Sequence, residues 1–174
     1  MEKTFVACDP GKDGSMAVIE GNSVGLYKYP MIGTEYDVQA IISMFKQFEG
    51  TNCHIVLENV MALQKPMDAG NWSLSRGKTI LEMCCIFFNL PFTMVHSKTW
   101  QKQIWEGIKP VESTKIDKKT GKIKSKIDTK ATTLLAIKRL FPTVELKRTP
   151  KCKNADEGHH DALAMAEYCR RNFK

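Results

Sequence analysis

The stretch from Phe5 to Ile19, Phe-Val-Ala-Cys-Asp-Pro-Gly-Lys-Asp-Gly-Ser-Met-Ala-Val-Ile, limits the folds open to this chain more than any other. Phe5–Cys8 and Met16–Ile19 are apolar runs of strand length. Pro10, Gly11 and Gly14 between them supply the preset and the permissive backbone angles of a tight turn. The chain therefore opens as strand, turn, strand, and Asp9 stands where the first strand ends. A carboxylate there is held by a rigid element yet open at the strand's carboxyl edge, where a metal or a phosphate can reach it. Taken alone, the same residue also reads as an ordinary turn acid before Pro-Gly.

Ser23–Lys28 alternates and makes a third strand, antiparallel to the hairpin. Pro30 to Tyr36 reads as a loop. Val38, Ile41, Ile42, Phe45 and Phe48 then fall at helical spacing, with Asp37 as N-cap and Gly50 as terminator. His54–Glu58 is a short apolar run, a buried strand that again ends on an acid. Met61 to Trp72 has no period and reads as a loop. A helix from about Ser73 to Asn89 is apolar almost all round, as a core helix is. Phe92–Val95 is a fifth strand, and Ser97 caps a short helix to Trp105. From Gly107 to Asp128 the chain is too polar to bury and reads as a long Lys-rich loop. Thr129 caps a helix that Pro142 ends. The last helix carries the stripe Ala162, Leu163, Ala166 and Cys169, with Asp161 at its start. An acid on that inward face is costly to desolvate unless a cation or donor meets it.

At 174 residues the chain makes one domain, large enough to bury its core without staples. No apolar run reaches the length of a membrane span, and no signal-peptide core follows Met1. The expectation is a soluble, cytoplasmic protein of a reducing compartment, with no membrane partner and no organic cofactor. Its six cysteines form no Cys-x-x-Cys pair, so no disulfide is expected. Cys152 with His159 and His160 lacks the second spaced pair of a zinc site.

The formal charge of +7 is unevenly placed. Eight lysines between Lys109 and Lys130 face only Glu112, Asp117 and Asp128, and Lys147, Arg148, Lys151 and Lys153 add a second basic run. A cationic face on a near-neutral body marks a polyanion binder, although a lone Lys run is more often a solvated loop. Asp9, Glu58 and Asp161 meanwhile constrain one another. Two carboxylates at adjacent strand ends, and one on a helix across those ends, repel unless cations neutralise them. Oxygen-only donors suit Mg²⁺, with Mn²⁺ as a substitute, and such ions serve phosphodiester hydrolysis.

These residues carry a family resemblance. The strand ending in Asp-Pro-Gly, the strand ending in Glu58 and the helix opening on His-Asp-Ala-Leu-Ala resemble the RuvC-type Holliday junction resolvases, a branch of the RNase H-like nucleases, in their phage or viral versions. The resemblance spans nearly the whole chain. It implies an α/β RNase H-like fold, a five-stranded mixed sheet with helices on both faces, acting on branched DNA as a homodimer. It makes Asp9, Glu58 and Asp161 catalytic metal ligands. A fourth acid, normally three to five residues before the last Asp, falls on Asp156 or Glu157, with Asp156 slightly ahead and His159 and His160 also in range. Gly158 stands at the remaining position and cannot serve. Lys102 and Lys130 match the family's basic residues near the scissile phosphate. Met61, with Leu63 as neighbour, matches its apolar wedge into the junction. The basic residues Arg76, Lys78, Lys98, Lys118, Lys119, Lys122 and Lys124 complete the candidate DNA contacts. Competing readings are a nuclease of forks, flaps or RNA–DNA hybrids, and a junction binder that does not cut. An actin-like or sugar-kinase ATPase would need a duplicated domain that 174 residues do not hold.

Overall fold

The computed structural model describes residues 2–60, 69–116 and 123–174. Met61, Leu63, Lys118, Lys119 and Lys122 lie outside the described residues. Strands β1 (Thr4–Asp9), β2 (Ser15–Glu20) and β3 (Ser23–Lys28) form the antiparallel opening. A two-stranded turn of β4 (Met31–Ile32) and β5 (Glu35–Tyr36) leads to α1 (Val38–Lys46). Then come β6 (Cys53–Glu58), α2 (Ala69–Phe87), β7 (Phe92–Val95) and α3 (Ser97–Ile104). The ribbon β8 (Glu112–Ile116) and β9 (Ile123–Ile127) precedes α4 (Thr129–Leu140) and α5 (Glu157–Asn172).

The main sheet has the order β3-β2-β1-β6-β7, with β6 and β7 parallel to β1. Five strands in this order, with only β2 running against its neighbours, make the RNase H-like α/β arrangement. The alternation of β1 sorts the two cores. Phe5 and Ala7 face the layer built by α3, α4 and α5, where Trp100, Ile104, Ile137 and Leu163 are buried. Val6 and Cys8 face α1 and α2, against Ile41, Phe45, Leu81 and Cys85. Each of the large aliphatic and phenyl side chains among them contributes about 1.5–3 kcal/mol when fully buried.

Helix α5 is buried on every residue from Gly158 to Cys169, a central helix lying between the sheet and α3 and α4. Its close approach depends on Gly158, and the turn beneath it depends on Gly14. A Cβ at Gly158 would stand 2.3 Å from the carbonyl oxygen of Asp13, and one at Gly14 would stand 2.0 Å from that of Asp9. No side chain fits where the helix start crosses the β1–β2 turn.

Several local expectations change. Residues 30–36 hold the β4–β5 pair rather than a bare loop. The supposed loop after Gly107 pairs into β8–β9, because its Ser, Thr, Lys and Ile alternate at strand period. Ser97 is the first residue of α3 and His96 takes the cap position without a side-chain bond, whereas Asp128, not Thr129, caps α4 by accepting from the Ala131 N–H. Asp37 caps α1 as expected. Helix α2 is not buried all round: Met83, Ile86 and Phe87 are exposed. All six cysteines are free and five are buried. Among the described residues no helix is long and apolar enough to cross a membrane.

Candidate active site

Asp9 and Glu58 are the last residues of adjacent parallel strands, one step beyond the Cys8–Leu57 register pair. Strand β7 ends beside Glu58 and passes at once into α3, which delivers Trp100. The Trp100 indole Nε1–H donates to Glu58 Oε1 at 3.3 Å. Asp161, on the second turn of the buried α5, comes over the same strand ends. The Lys130 ammonium, from the first turn of α4, donates to Asp161 Oδ2, and His160 Nδ1 lies 3.0 Å from Asp161 Oδ1. A cavity of about 190 Å³ is lined by Asp9, Glu58, Asp161, Lys130 and Trp100, with Ser97, Gln101 and Thr129.

The charge balance of this cavity is short of cations. Burial, then the charges of Glu58 and Asp161, push the Asp9 carboxyl well above its ordinary value, against the opposing pull of Lys130 and Lys28. Glu58 is also raised by burial, and the Trp100 hydrogen bond restrains the shift. Burial works against the charge of Lys130, but Asp161, Asp9 and Glu157 outweigh it and its pKa rises. As the side chains stand, no three His, Cys, Asp or Glu residues among those described are grouped to enclose an ion. The donors nonetheless fit a hard divalent cation in kind: they are all oxygen, and they destabilise each other for want of positive charge.

The two fourth-acid candidates part company. Asp156 is the N-cap of α5, accepting from the His159 N–H at 3.2 Å, and its Oδ1 takes the Lys28 ammonium at 2.7 Å. Burial raises its pKa, but the Lys28 bond and charge outweigh burial and hold it below the usual carboxylate range. Asp156 is thus already neutralised and lines no part of the acid cavity. Glu157 lies 3.9 Å from Lys130 Nζ and lines a larger cleft of about 920 Å³ that shares Asp9 and Lys130 with the acid cavity. The wall of this cleft includes Lys12, Tyr36, Trp72 and Arg76, and Arg76 is paired there with Glu35.

The remaining basic candidates are dispersed. Lys78 donates to Asn59 Oδ1 at 3.0 Å, just past Glu58. Lys98 and Lys102 are exposed on α3 and do not line the acid cavity, and Lys124 sits in β9. Sequence reasoning missed Trp100 and Lys28. A signal existed for the first: a buried indole N–H needs an acceptor, and Trp100 lies three residues into the helix that follows the Glu58 layer. Nothing local marked Lys28, which meets Asp156 across 128 residues.

Fold and site together describe an RNase H-like domain with three acids and a lysine at the carboxyl edge of its central strands. Among solved structures the chain is similar to that of Thermus thermophilus RuvC, with 15% identity, 98% of this chain and 96% of that chain covered, and a TM-score of 0.49. It is likewise similar to T. thermophilus RuvC in complex with Holliday junction substrate, with 13% identity, coverage of 98% and 96%, and a TM-score of 0.48. No family model and no curated protein matches the sequence. At such identity no residue correspondence follows, and the chemistry rests on the side chains of this chain.

Proposed function

We propose that the protein is a metal-dependent endonuclease that cuts four-way or otherwise branched DNA, acting as a homodimer. The observation that carries this reading is the convergence of Asp9, Glu58 and Asp161 on one cavity with Lys130, under a charge balance that holds Asp9 well above its ordinary pKa. Asp9, Glu58 and Asp161 would hold Mg²⁺ or Mn²⁺, with Glu157 the better placed fourth carboxylate. When bound, the metal would help ionise an attacking water and offset charge on the phosphate oxygens. Trp100 fixes the Glu58 carboxylate, and His160 orients Asp161 from its other oxygen. Lys130, released from Asp161, can hold the phosphate and stabilise its developing charge. Glu35, at the rim of the larger cleft, holds Arg76 until a phosphate competes for it.

The exposed apolar side chains of α2, with Phe87 77% and Met83 55% exposed, support a second copy on that face. A two-fold dimer would present two such sites to opposed strands of a junction. Labelled four-way junction, fork, RNA–DNA hybrid and linear duplex, each with and without Mg²⁺, test the reading. Metal-dependent paired nicks in the junction support it. Preferential cutting of forks or hybrids moves the substrate class, and tight junction binding without cleavage makes the chain a binder only.

A further inference from the structure

The acid cavity is lined by two kinds of group. Asp9, Glu58 and Asp161 bring carboxylates, whereas α3 contributes Ser97, Trp100 and Gln101 and α4 contributes Thr129 and Lys130. Ser97 and Gln101 stand four residues apart, on one face of α3. Lys102, the next residue, is turned about 100° away, is exposed and does not line the cavity. Gln103 shows what a glutamine on this helix does in a structural role. Its Nε2 donates to Asn172 Oδ1 at 3.3 Å and its Oε1 accepts from Asn172 Nδ2 at 2.8 Å, so both amide atoms are engaged by α5. Gln101 lines the cavity instead, and among the described residues no hydrogen bond engages its carboxamide.

The stronger donors of the cavity are already taken by the acids. The Trp100 indole N–H donates to Glu58 and the Lys130 ammonium to Asp161. A phosphodiester brings one more negative charge against the three carboxylates, so it needs donors that those carboxylates have not claimed. An ammonium at the position of Gln101 would be drawn to a carboxylate, as Lys130 is, whereas a neutral carboxamide keeps two N–H groups for an incoming oxygen. We propose that Gln101 is a catalytic residue of this chain, its carboxamide donating to a non-bridging oxygen of the scissile phosphate and holding that oxygen as charge builds on it. This deepens, and rests on, the nuclease reading. Gln101 moves no proton; it fixes the phosphate between the acids and α3. The helices that carry Gln101 and Lys130 are tied to each other, as such a grip demands. Trp105, the C-cap of α3, donates from Nε1 to Thr133 Oγ1 at 3.2 Å, and the Thr133 hydroxyl donates to the Thr129 carbonyl at 2.9 Å.

The test follows single-turnover cleavage, at saturating full-length protein, of the branched DNA that the parent cuts. The cut phosphate is left unmodified or replaced by each of its two phosphorothioate diastereomers. Mn²⁺ is the metal, because it accepts sulfur as a ligand more readily than Mg²⁺ and hydrogen bonds then weigh more in the penalties that remain. Sulfur is a poor hydrogen-bond acceptor, so each diastereomer weakens the contacts of one non-bridging oxygen. Gln101→Met should slow cleavage of the unmodified DNA about ten- to a hundredfold, the loss of one hydrogen bond to a charged oxygen. It should also shrink the sulfur penalty of one diastereomer and leave that of the other, whereas a structural role would slow all three substrates by one factor. A parental rate in Gln101→Met overturns the proposal, and so do penalties that fall for both diastereomers alike or for neither. If the Met variant does not fold, as read by thermal melting, Gln101→Leu carries the same comparison with another good helix former. A parent that cuts no DNA overturns the nuclease reading and this inference with it, whereas a cutting parent matched by Gln101→Met overturns this inference alone.

Discussion

Asp9 is held where ionisation is costly, and that cost has a sign. Its folded pKa lies well above the ordinary 3.8, so across the window between the two values the folded state binds the proton that the unfolded chain has released. Stability from this group is complete below 3.8 and is lost as pH rises through the folded value. Asp9→Asn should therefore melt at a higher temperature than the parent at pH 7 in chelator, with the difference vanishing near pH 3.5, while cleavage is abolished. Mg²⁺ should raise the melting temperature of the parent and not of the variant. Equal melting of the two proteins at pH 7 would show that Asp9 bears no charge strain. Asp156 and Glu157 are adjacent, and sequence spacing did not divide their roles because a cap and a first-turn face both accept an acid. The structure divides them, so Asp156→Ala should remove the Lys28 pair and the cap and lower stability by about 1 kcal/mol with turnover kept. Glu157→Gln should do the reverse, and thermal melts beside single-turnover cleavage separate the two.

At the scale of elements, the chain spelled out its sheet plainly. Phe5–Cys8, Ser23–Lys28 and His54–Glu58 were readable because apolar runs or strict alternation stood out, and the strand-end acids Asp9 and Glu58 followed from the first and the last. The ribbon was overlooked for the opposite reason: its alternation is of Lys with Ser and Ile, which resembles a solvated loop when polarity is weighed before period. Helix α2 misled because apolar composition does not say which side is covered. Its exposed face should support association. Met83→Lys with Phe87→Lys, both at exposed positions, should shift sedimentation from dimer to monomer without lowering the melting temperature. Sedimentation unchanged by the two charges would place any dimer elsewhere. The start of α5 is more tightly specified. Gly158→Ala forces a methyl against the Asp13 carbonyl and should cost about 1–3 kcal/mol, by denaturant titration, while displacing Asp161 enough to slow cleavage.

Over the whole chain, lysines are concentrated in sequence between Lys109 and Lys130 and in the Lys147–Lys153 run, whereas three acids gather at one sheet edge. On the proposed nuclease reading, that division would let long-range attraction draw a polyanion to a body whose acids lie elsewhere. One acid site breaks one strand, so resolving a four-way junction requires two sites in one particle. The proposed two-fold dimer would supply them, and the consequence can be read from mixed subunits. When parent and Asp9→Asn chains are co-refolded in equal amounts, about half of the dimers hold one working site and about a quarter hold two. On a plasmid carrying an extruded cruciform, a particle with two working sites yields linear product, and one with a single site yields a nicked circle. Raising the share of Asp9→Asn should therefore convert linear product into nicked circle before total cutting disappears. A linear fraction that falls only in proportion to the parent chain, with no nicked circle, would mean that each chain makes both cuts by itself, and the dimer on the α2 face would have no part in resolution.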